Sequence, residues 1–274
     1  MAKRLAVLPD RGALLVSTDL HGNMEDFRRL RGVFKGLVAQ GRTPHWVLLG
    51  DIVHGPDSRT SRARPELYGY QDESWDVVEG VIELQMAYPD RVHFILGNHD
   101  HGHVGGPHTS KFYADEVGHL ESTMGPKQVA AMHRLFEEAL LAAVAPCGVV
   151  LAHGSPDDRI ERLQDLDGVS FGVGENDEYH EHLLHTFLRS YGQKDEITKR
   201  FLDKASASMG FPAGLLVHGH DRDEKGWYAE GAHQICPAIF GAPREAKHHL
   251  LLDLAGRYTG IADVREGHEL RKLY

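Results

Sequence analysis

The residues best suited to chemistry in this sequence are carboxylate, imidazole and amide side chains that follow five short apolar runs. They are Asp19 and His21, then Asp51, then Asn98 and His99, then His153, and finally His218 and His220. These ligand types together suit borderline cations such as Mn, Fe or Zn, whereas calcium prefers oxygen ligands alone. Buried at a strand end, Asp51 carries a large desolvation cost unless a cation or several donors meet it. We therefore predict a pair of metal ions at Asp51, with Gly50 letting them approach the backbone.

An apolar run of strand length precedes each of these clusters. The runs cover residues 13–17, 46–49, 92–96, 148–152 and 214–217, and their apolar character is typical of strands buried on both faces. After the first strand, Asn23 is a suitable N-cap, and Phe27, Leu30 and Phe34 keep helical spacing. Because α/β sheets present their chemistry at the carboxyl ends of parallel strands, we expect the five clusters to meet at one edge.

The rest of the chain supplies further helices and strands without a division into domains. We predict helices that begin near Ser74 and that cover 127–145, 178–189 and 195–208, and short antiparallel strands near 234–240, 247–253 and 257–264. Since the sequence has no linker and no fixed-period repeat, residues 1–274 are predicted to form one domain. Three segments are predicted insertions, at about 55–73, 101–125 and 156–212.

Composition is that of an ordinary globular protein of the cytoplasm. The 274 residues are 41% hydrophobic and 26% charged, and no apolar run approaches the roughly 18 residues of a membrane span. Two cysteines make no disulfide framework and no apolar signal segment is present, which favours the reducing cytoplasm. A formal charge of −10 argues against a nucleic-acid partner. The 20 histidines indicate metal binding or acid–base chemistry.

The five clusters, in this order, resemble the motifs of the calcineurin-like metallophosphoesterase superfamily. The motifs are DxH at residues 19–21, GD at 50–51, GNHD at 97–100, the strand-end His153, and GH at 219–220. The match extends from Asp19 to about Asp221, and within the superfamily the Ser/Thr protein phosphatase branch is the most similar. The resemblance implies a four-layer α/β/β/α sandwich, in which helices flank two mixed β-sheets.

The resemblance also implies a role for each motif residue. Asp19 and His21 would bind the first metal, Asp51 would bridge two metals, and Asn98, His153 and His220 would complete the second site. A bridging hydroxide would attack a phosphomonoester, either a small molecule or a phosphoprotein, while His99 would protonate the leaving group as general acid. The implied protein is a metal-dependent phosphatase whose partner is a phosphorylated substrate and whose cofactors are two Mn, Fe or Zn ions.

One motif departs from the protein phosphatase pattern, which reads GDxVDRG after the bridging aspartate. Here residues 50–55 read GDIVHG, so His54 replaces the aspartate that orients the acid and Gly55 replaces the phosphate-binding arginine. We predict that Asp100 or Asp57 orients His99 instead. The predicted substrate-binding residues are His54 and an arginine of the adjacent insertion, namely Arg59, Arg62 or Arg64.

Two other functions stay open at this point. A phosphodiesterase or dinucleoside polyphosphate hydrolase could use the same metal core, and a catalytically idle protein with a changed site could still bind metal. His218 precedes the glycine of its motif and is expected to point away from the metals. The sequence HEHLLH at 180–185 is not a zinc-protease motif, because the required second histidine is replaced by Leu184.

Overall fold

Two β-sheets packed face to face form the centre of the protein, and the computed structural model describes residues 3–274. In this part of the chain the strands are β1 (Leu5–Val7), β2 (Ala13–Ser17), β3 (Pro44–Leu48), β4 (Val92–Phe94), β5 (Ala142–Ala145), β6 (Val149–Ala152), β7 (Leu215–His218), β8 (Trp227–Glu230), β9 (Gln234–Pro237), β10 (His248–Asp253) and β11 (Leu270–Lys272). The α-helices are α1 (Met24–Ala39), α2 (Ser58–Ala63), α3 (Pro65–Tyr68), α4 (Ser74–Ala87), α5 (Asn98–His101), α6 (Glu116–Ser122), α7 (Pro126–Glu137), α8 (Glu178–Arg189) and α9 (Asp195–Met209).

The strand directions bring the five predicted clusters to the strand ends at one edge of each sheet. The five-stranded sheet has the order β11-β10-β2-β3-β4, and the six-stranded sheet has the order β1-β5-β6-β7-β9-β8. In the five-stranded sheet, β2, β3 and β4 are parallel, with Val16 opposite Val47 and Val47 opposite His93. In the six-stranded sheet, β6 and β7 are parallel, with Leu151 opposite Val217. The strands that precede the clusters are therefore parallel within each sheet.

The alternation of side chains along each strand builds two apolar layers. One buried cluster lies between the sheets and contains Leu14, Val16, Val47, Val149 and Leu151. Intervening strand residues belong instead to a buried cluster shared with the helices, among them Leu15, Trp46, Val150, Phe27 and Phe34. Helices α1 and α4 contact the five-stranded sheet and α9 contacts the six-stranded sheet. The predicted fold, two mixed sheets flanked by helices, is confirmed.

Helix α1 forms where the sequence predicts it. The Asn23 side chain accepts a hydrogen bond of 3.1 Å from the Asp26 amide, which caps the first turn. The rings of Phe27 and Phe34 are fully buried and lie 5.7 and 6.0 Å from the Trp46 ring on β3. The helix thus packs directly on the strand that leads to Asp51 and holds that strand in place.

The prediction of one helix over residues 127–145 is wrong at its end. Helix α7 stops at Glu137, and Ala142–Ala145 form β5 between β1 and β6. All four β5 residues are fully buried. A short run of alanine and valine has no helical or strand period of its own, so its pairing partners decide its conformation.

The predicted tail is only partly correct. Residues 257–264 form a turn with the 3₁₀ helix Ile261–Asp263 rather than a strand, whereas β9 and β10 lie near the predicted positions. Strand β9 pairs antiparallel with β8 but parallel with β7, and β10 pairs antiparallel with β2 and β11. Strand β8 is only partly buried, and it lacks the apolar run that predicts the buried strands.

Between residues 3 and 274, none of the helices combines the length and the apolar character that a bilayer-crossing helix requires.

A buried ion pair joins α1 to the segment before β10. The Lys247 ammonium contacts the Asp26 carboxylate, which also accepts a hydrogen bond of 2.7 Å from the Tyr274 hydroxyl. Asp26 is 1% exposed and Lys247 is 6% exposed. Burial raises the pKa of Asp26, and the charge of Lys247 opposes that rise. Removal of the lysine would leave a buried carboxylate without its cation.

We expect the substitution Lys247→Met to lower the free energy of unfolding by about 3–5 kcal/mol at pH 7. Since the folded-state pKa of Asp26 would then lie further above the unfolded value, the loss should shrink below about pH 4, where both states are protonated. Urea unfolding at both pH values measures the effect. Lys35→Met, at an exposed position of α1, is the matched control. Equal losses in the two variants would contradict the prediction.

Candidate active site

Residues of the predicted site meet in two groups that share Asp51. One contains His21, Asp51 and His99, the other contains Asp51, His153 and His220, and the ligand atoms of each lie within 4.8 Å of one another. The Asp51 Oδ2 atom lies 3.7 Å from His21 Nε2 and 3.5 Å from His153 Nε2. The side-chain oxygen of Asn98 adds to the second group and lies 3.1 Å from His153 Nε2.

Asp19 completes the set at the edge of these groups. Its carboxylate accepts a hydrogen bond of 3.1 Å from the His220 backbone amide. Burial and the nearby Asp51 carboxylate raise the pKa of Asp19 well above its usual range. Burial would also raise the pKa of Asp51, but the adjacent histidines, His153 foremost, lower it overall. A cation beside the two carboxylates would relieve their repulsion, so the residues present fit a metal centre.

The imidazoles are held in the form that binds metals. Burial lowers the pKa of His21 and of His153 and lowers that of His220 to about 3, which keeps all three rings neutral. The Nδ1 atom of His21 lies 3.1 Å from the carbonyl oxygens of Val53 and His54. Because Nδ1 donates to these carbonyls, the lone pair lies on Nε2, the atom that faces Asp51.

Unusual backbone conformations are concentrated at this site. Among the described residues, five that are not glycine have positive φ angles, and all of them belong to the site or its rim: Asp19, His21, Asp51, His54 and His220. The turns after β3 and β4 also approach each other closely. A Cβ atom on Gly50 would lie 2.4 Å from the Gly97 amide nitrogen. The neighbouring turn therefore lies close against Gly50.

Asp100 has a different place from the one predicted. Its carboxylate accepts backbone hydrogen bonds from Asp51 at 2.7 Å, Gly97 at 2.9 Å and Ile52 at 3.1 Å, so it ties the two turns together. Asp57, the other candidate for orienting His99, caps α2 through the Thr60 amide. Both carboxylates accept hydrogen bonds from backbone amides, and neither contacts the His99 ring.

Glu116 contacts His99 instead. Its Oε2 atom lies 3.3 Å from His99 Nδ1, and the Thr109 hydroxyl lies 3.2 Å from the same nitrogen. Glu116 is 1% exposed, and although burial opposes it, contact with His99 lowers the pKa of this carboxyl to about 2. The residue begins α6, inside the predicted insertion at 101–125, and no motif in the sequence indicates it.

His54 and His218 are both buried away from solvent. His54, a predicted substrate-binding residue, is 2% exposed and its two ring nitrogens lie 3.2 Å from His99 Nδ1 and 2.9 Å from His103 Nε2. It is therefore a buried neighbour of His99. The Nδ1 atom of His218 lies 2.9 Å from the Gly219 carbonyl and 3.6 Å from Asp221, and His218 belongs to neither metal-ligand group.

The cation nearest the ligands is a lysine rather than one of the predicted arginines. Arg59 and Arg62 are exposed on α2, and Arg64 forms ion pairs with Glu66 and Glu224. In contrast, Lys111 Nζ lies 3.3 Å from His21 Nε2 and 4.1 Å from the centre of the Phe240 ring. Lys111 as a whole residue is exposed, but burial around its amine lowers the pKa to about 8, and the charge of Asp51 opposes that fall.

The two mixed sheets, with histidine and aspartate ligands sharing one carboxylate at the strand ends, define a class of metal-dependent phosphoesterases. The sequence model of calcineurin-like phosphoesterases matches residues 13–231. The chain therefore belongs to the calcineurin-like phosphoesterase family, and the predicted family and enzyme class are confirmed. No curated protein shows significant sequence similarity to the chain.

Solved structures support the same fold. One is a protein serine/threonine phosphatase from Saccharomyces cerevisiae, with 15% identity and a TM-score of 0.61 over 92% of this chain and 77% of that chain. Another is a cold-active protein-tyrosine phosphatase of a psychrophilic Shewanella species, with 14% identity and a TM-score of 0.62 over 93% and 78% of the two chains. At these identities the likeness concerns the fold alone.

Proposed function

We propose that the protein hydrolyses phosphomonoesters with the help of two metal ions and with His99 as general acid. The observation that carries this proposal is the sharing of Asp51 between two groups of side chains, one of which also contains His99. A shared carboxylate is the usual means of holding two cations about 3.5–4 Å apart for hydrolysis at phosphorus. The same chemistry would serve a small phosphomonoester and a phosphorylated protein side chain.

Two sets of residues would hold the metals. Asp19, His21 and Asp51 would bind one ion, and Asp51, Asn98, His153 and His220 would bind the other. Mixed nitrogen and oxygen ligands favour Mn, Fe or Zn. When bound, such ions would supply a nucleophile at neutral pH and would stabilise negative charge on the phosphoryl oxygens.

His99 is suited to protonate the departing oxygen. Its Nδ1 atom faces the Glu116 carboxylate, so this contact orients the imidazole. The opposite nitrogen, Nε2, is then available to donate a proton to the leaving group. Glu116 would thereby take the orienting role that the sequence analysis assigns to Asp100 or Asp57.

Lys111 would bind the phosphoryl group. Its ammonium lies beside His21, on the side of the ring that faces Asp51, and aromatic residues Phe112 and Phe240 flank it. A monoester carries one more negative charge than a diester, so a desolvated cation at this point favours the monoester. This contact would replace the phosphate-binding arginine that is absent at Gly55.

Metal-dependent hydrolysis of p-nitrophenyl phosphate tests the proposed function. We expect metal-stripped protein to be inactive and to regain activity with Mn, Fe or Zn, and bis(p-nitrophenyl) phosphate to be cleaved at least about tenfold more slowly. Faster cleavage of the bis ester would favour a phosphodiesterase. Bound metal without turnover of either ester would favour the idle metal-binding protein.

We expect Lys111→Met to raise KM for p-nitrophenyl phosphate and to lower kcat/KM by about 10–100-fold, because a charged hydrogen bond contributes about 1.5–3 kcal/mol. Inhibition by inorganic phosphate should weaken by a similar factor, while metal content stays unchanged. Steady-state kinetics and metal analysis measure these effects. Lys127→Met, at an exposed position in the first turn of α7, is the control. Unchanged phosphate inhibition in Lys111→Met would contradict the assignment.

A further inference from the structure

A separate group of metal-ligand side chains lies behind His99. His103, Glu121 and His133 place one ligand atom each within 4.8 Å of one another. They come from three elements, the 3₁₀ helix Gly102–Val104, α6 and α7. His103 Nδ1 and His133 Nε2 both lie 2.8 Å from the same carboxylate oxygen, Oε1 of Glu121. None of the three is a ligand of the catalytic centre described above.

The group is enclosed on one side and open on the other. The His103 side chain is fully buried, whereas those of Glu121 and His133 are 31% and 33% exposed. Ions and water can therefore reach the ligand atoms from solvent, while the protein interior fixes the position of His103. Hydrogen bonds to one shared oxygen already orient both rings, so little ordering of side chains remains for a ligand to impose.

We propose that His103, Glu121 and His133 form a further metal site that takes zinc or a cation of similar preference. Two imidazoles and one carboxylate, with a fourth position open to water, are a ligand set that zinc uses in proteins. Zinc–ligand bonds of about 2.0–2.1 Å separate tetrahedral ligand atoms by about 3.3 Å, so the two nitrogens need to move apart from Oε1 by only about 0.5 Å.

A hydrogen-bonded path connects this site to the catalytic centre. His103 Nε2 lies 2.9 Å from His54 Nε2, and His54 Nδ1 lies 3.2 Å from His99 Nδ1. With a metal on His103 Nδ1, the ring proton of His103 resides on Nε2 and is donated to His54. Occupancy of the site thus fixes the tautomer of His54, the direct neighbour of the proposed general acid.

The test is zinc content per chain in the full-length protein. Asp51→Asn removes a shared ligand of the catalytic centre and isolates the further site. We expect Asp51→Asn to retain one zinc per chain in zinc-buffered solution, and Asp51→Asn/His133→Ala to lose it. Asp51→Asn/His119→Ala is the matched control, because His119 is exposed on α6 and stacks on Tyr113 at 3.6 Å instead of joining the group. Equal zinc content in all three proteins would overturn the proposal.

Cobalt provides an independent readout. Titration of Asp51→Asn with Co²⁺ should produce the visible absorption of a four-coordinate site, and His133→Ala should abolish it. Circular dichroism checks that each variant is folded. If His133→Ala fails to fold, Glu121→Gln retains the side-chain shape and should lose the same zinc and the same absorption. Retention of both signals in a folded Glu121→Gln variant would also overturn the proposal.

Discussion

Substitution of Asp51 by asparagine should reduce hydrolysis of p-nitrophenyl phosphate on the order of 10³-fold or more and lower the metal content at the same time. Asp51 is the one residue shared by the two ligand groups, and it is 2% exposed. Asparagine keeps the size of the side chain but removes the negative charge that would hold two cations. Loss of several kcal/mol of transition-state stabilisation by the metals corresponds to at least this factor.

The Asp51→Asn measurement needs kinetics and metal analysis on the same preparation. Asp10→Asn, at an exposed position before β2, is the control and should keep full activity and metal content. An Asp51→Asn variant that retains both its metals and its activity would exclude Asp51 as a bridging ligand.

The second large effect is expected for His99→Asn. We expect kcat to fall by about 10²–10⁴-fold for alkyl phosphates, which have poor leaving groups, and much less for p-nitrophenyl phosphate. The reason is that only a poor leaving group needs the proton that His99 would donate. Metal content should be unchanged. The measurement is a series of aryl and alkyl phosphates of increasing leaving-group pKa, compared between wild type and variant.

Glu116→Gln is the companion variant for this experiment. The Glu116 carboxylate contacts His99 Nδ1, so its loss should give the same dependence on leaving group with a smaller amplitude. Glu79→Gln, at an exposed position of α4, is a suitable comparison and should leave the rates for all leaving groups unchanged. A uniform loss across all leaving groups in His99→Asn would show that His99 acts other than as a general acid.

Several positions of the candidate site could be predicted because each lies next to the strand that places it. Asp19, Asp51 and His153 follow β2, β3 and β6 within three residues. The apolar run that predicts each strand therefore also predicts where the polar residue after it lies. The same holds for α1, where the Asn23 cap and the buried Phe27 are close in sequence. In these cases the signal and the structure that it predicts are local.

Where long-range pairing decides the conformation, the prediction failed. Residues Ala142–Ala145 form a strand because β1 and β6 pair with them on either side, and nothing within the four residues distinguishes this from a helix end. Asp100 is a similar case. Asp100 or Asp57 was predicted to orient His99, but the close approach of the Gly50 and Gly97 turns brings three backbone donors to the Asp100 carboxylate.

The positions of the five buried strands along the chain, and the types of polar residue that follow them, could be predicted because each is recorded in adjacent residues. The contacts of Glu116 with His99 and of Lys111 with His21, and the exposure of Arg59 and Arg62, depend on the folded chain. Those contacts depend on how the segment 101–125 packs over the strand ends. Hydrophobic spacing carries no information about them, because they join polar side chains from separate loops.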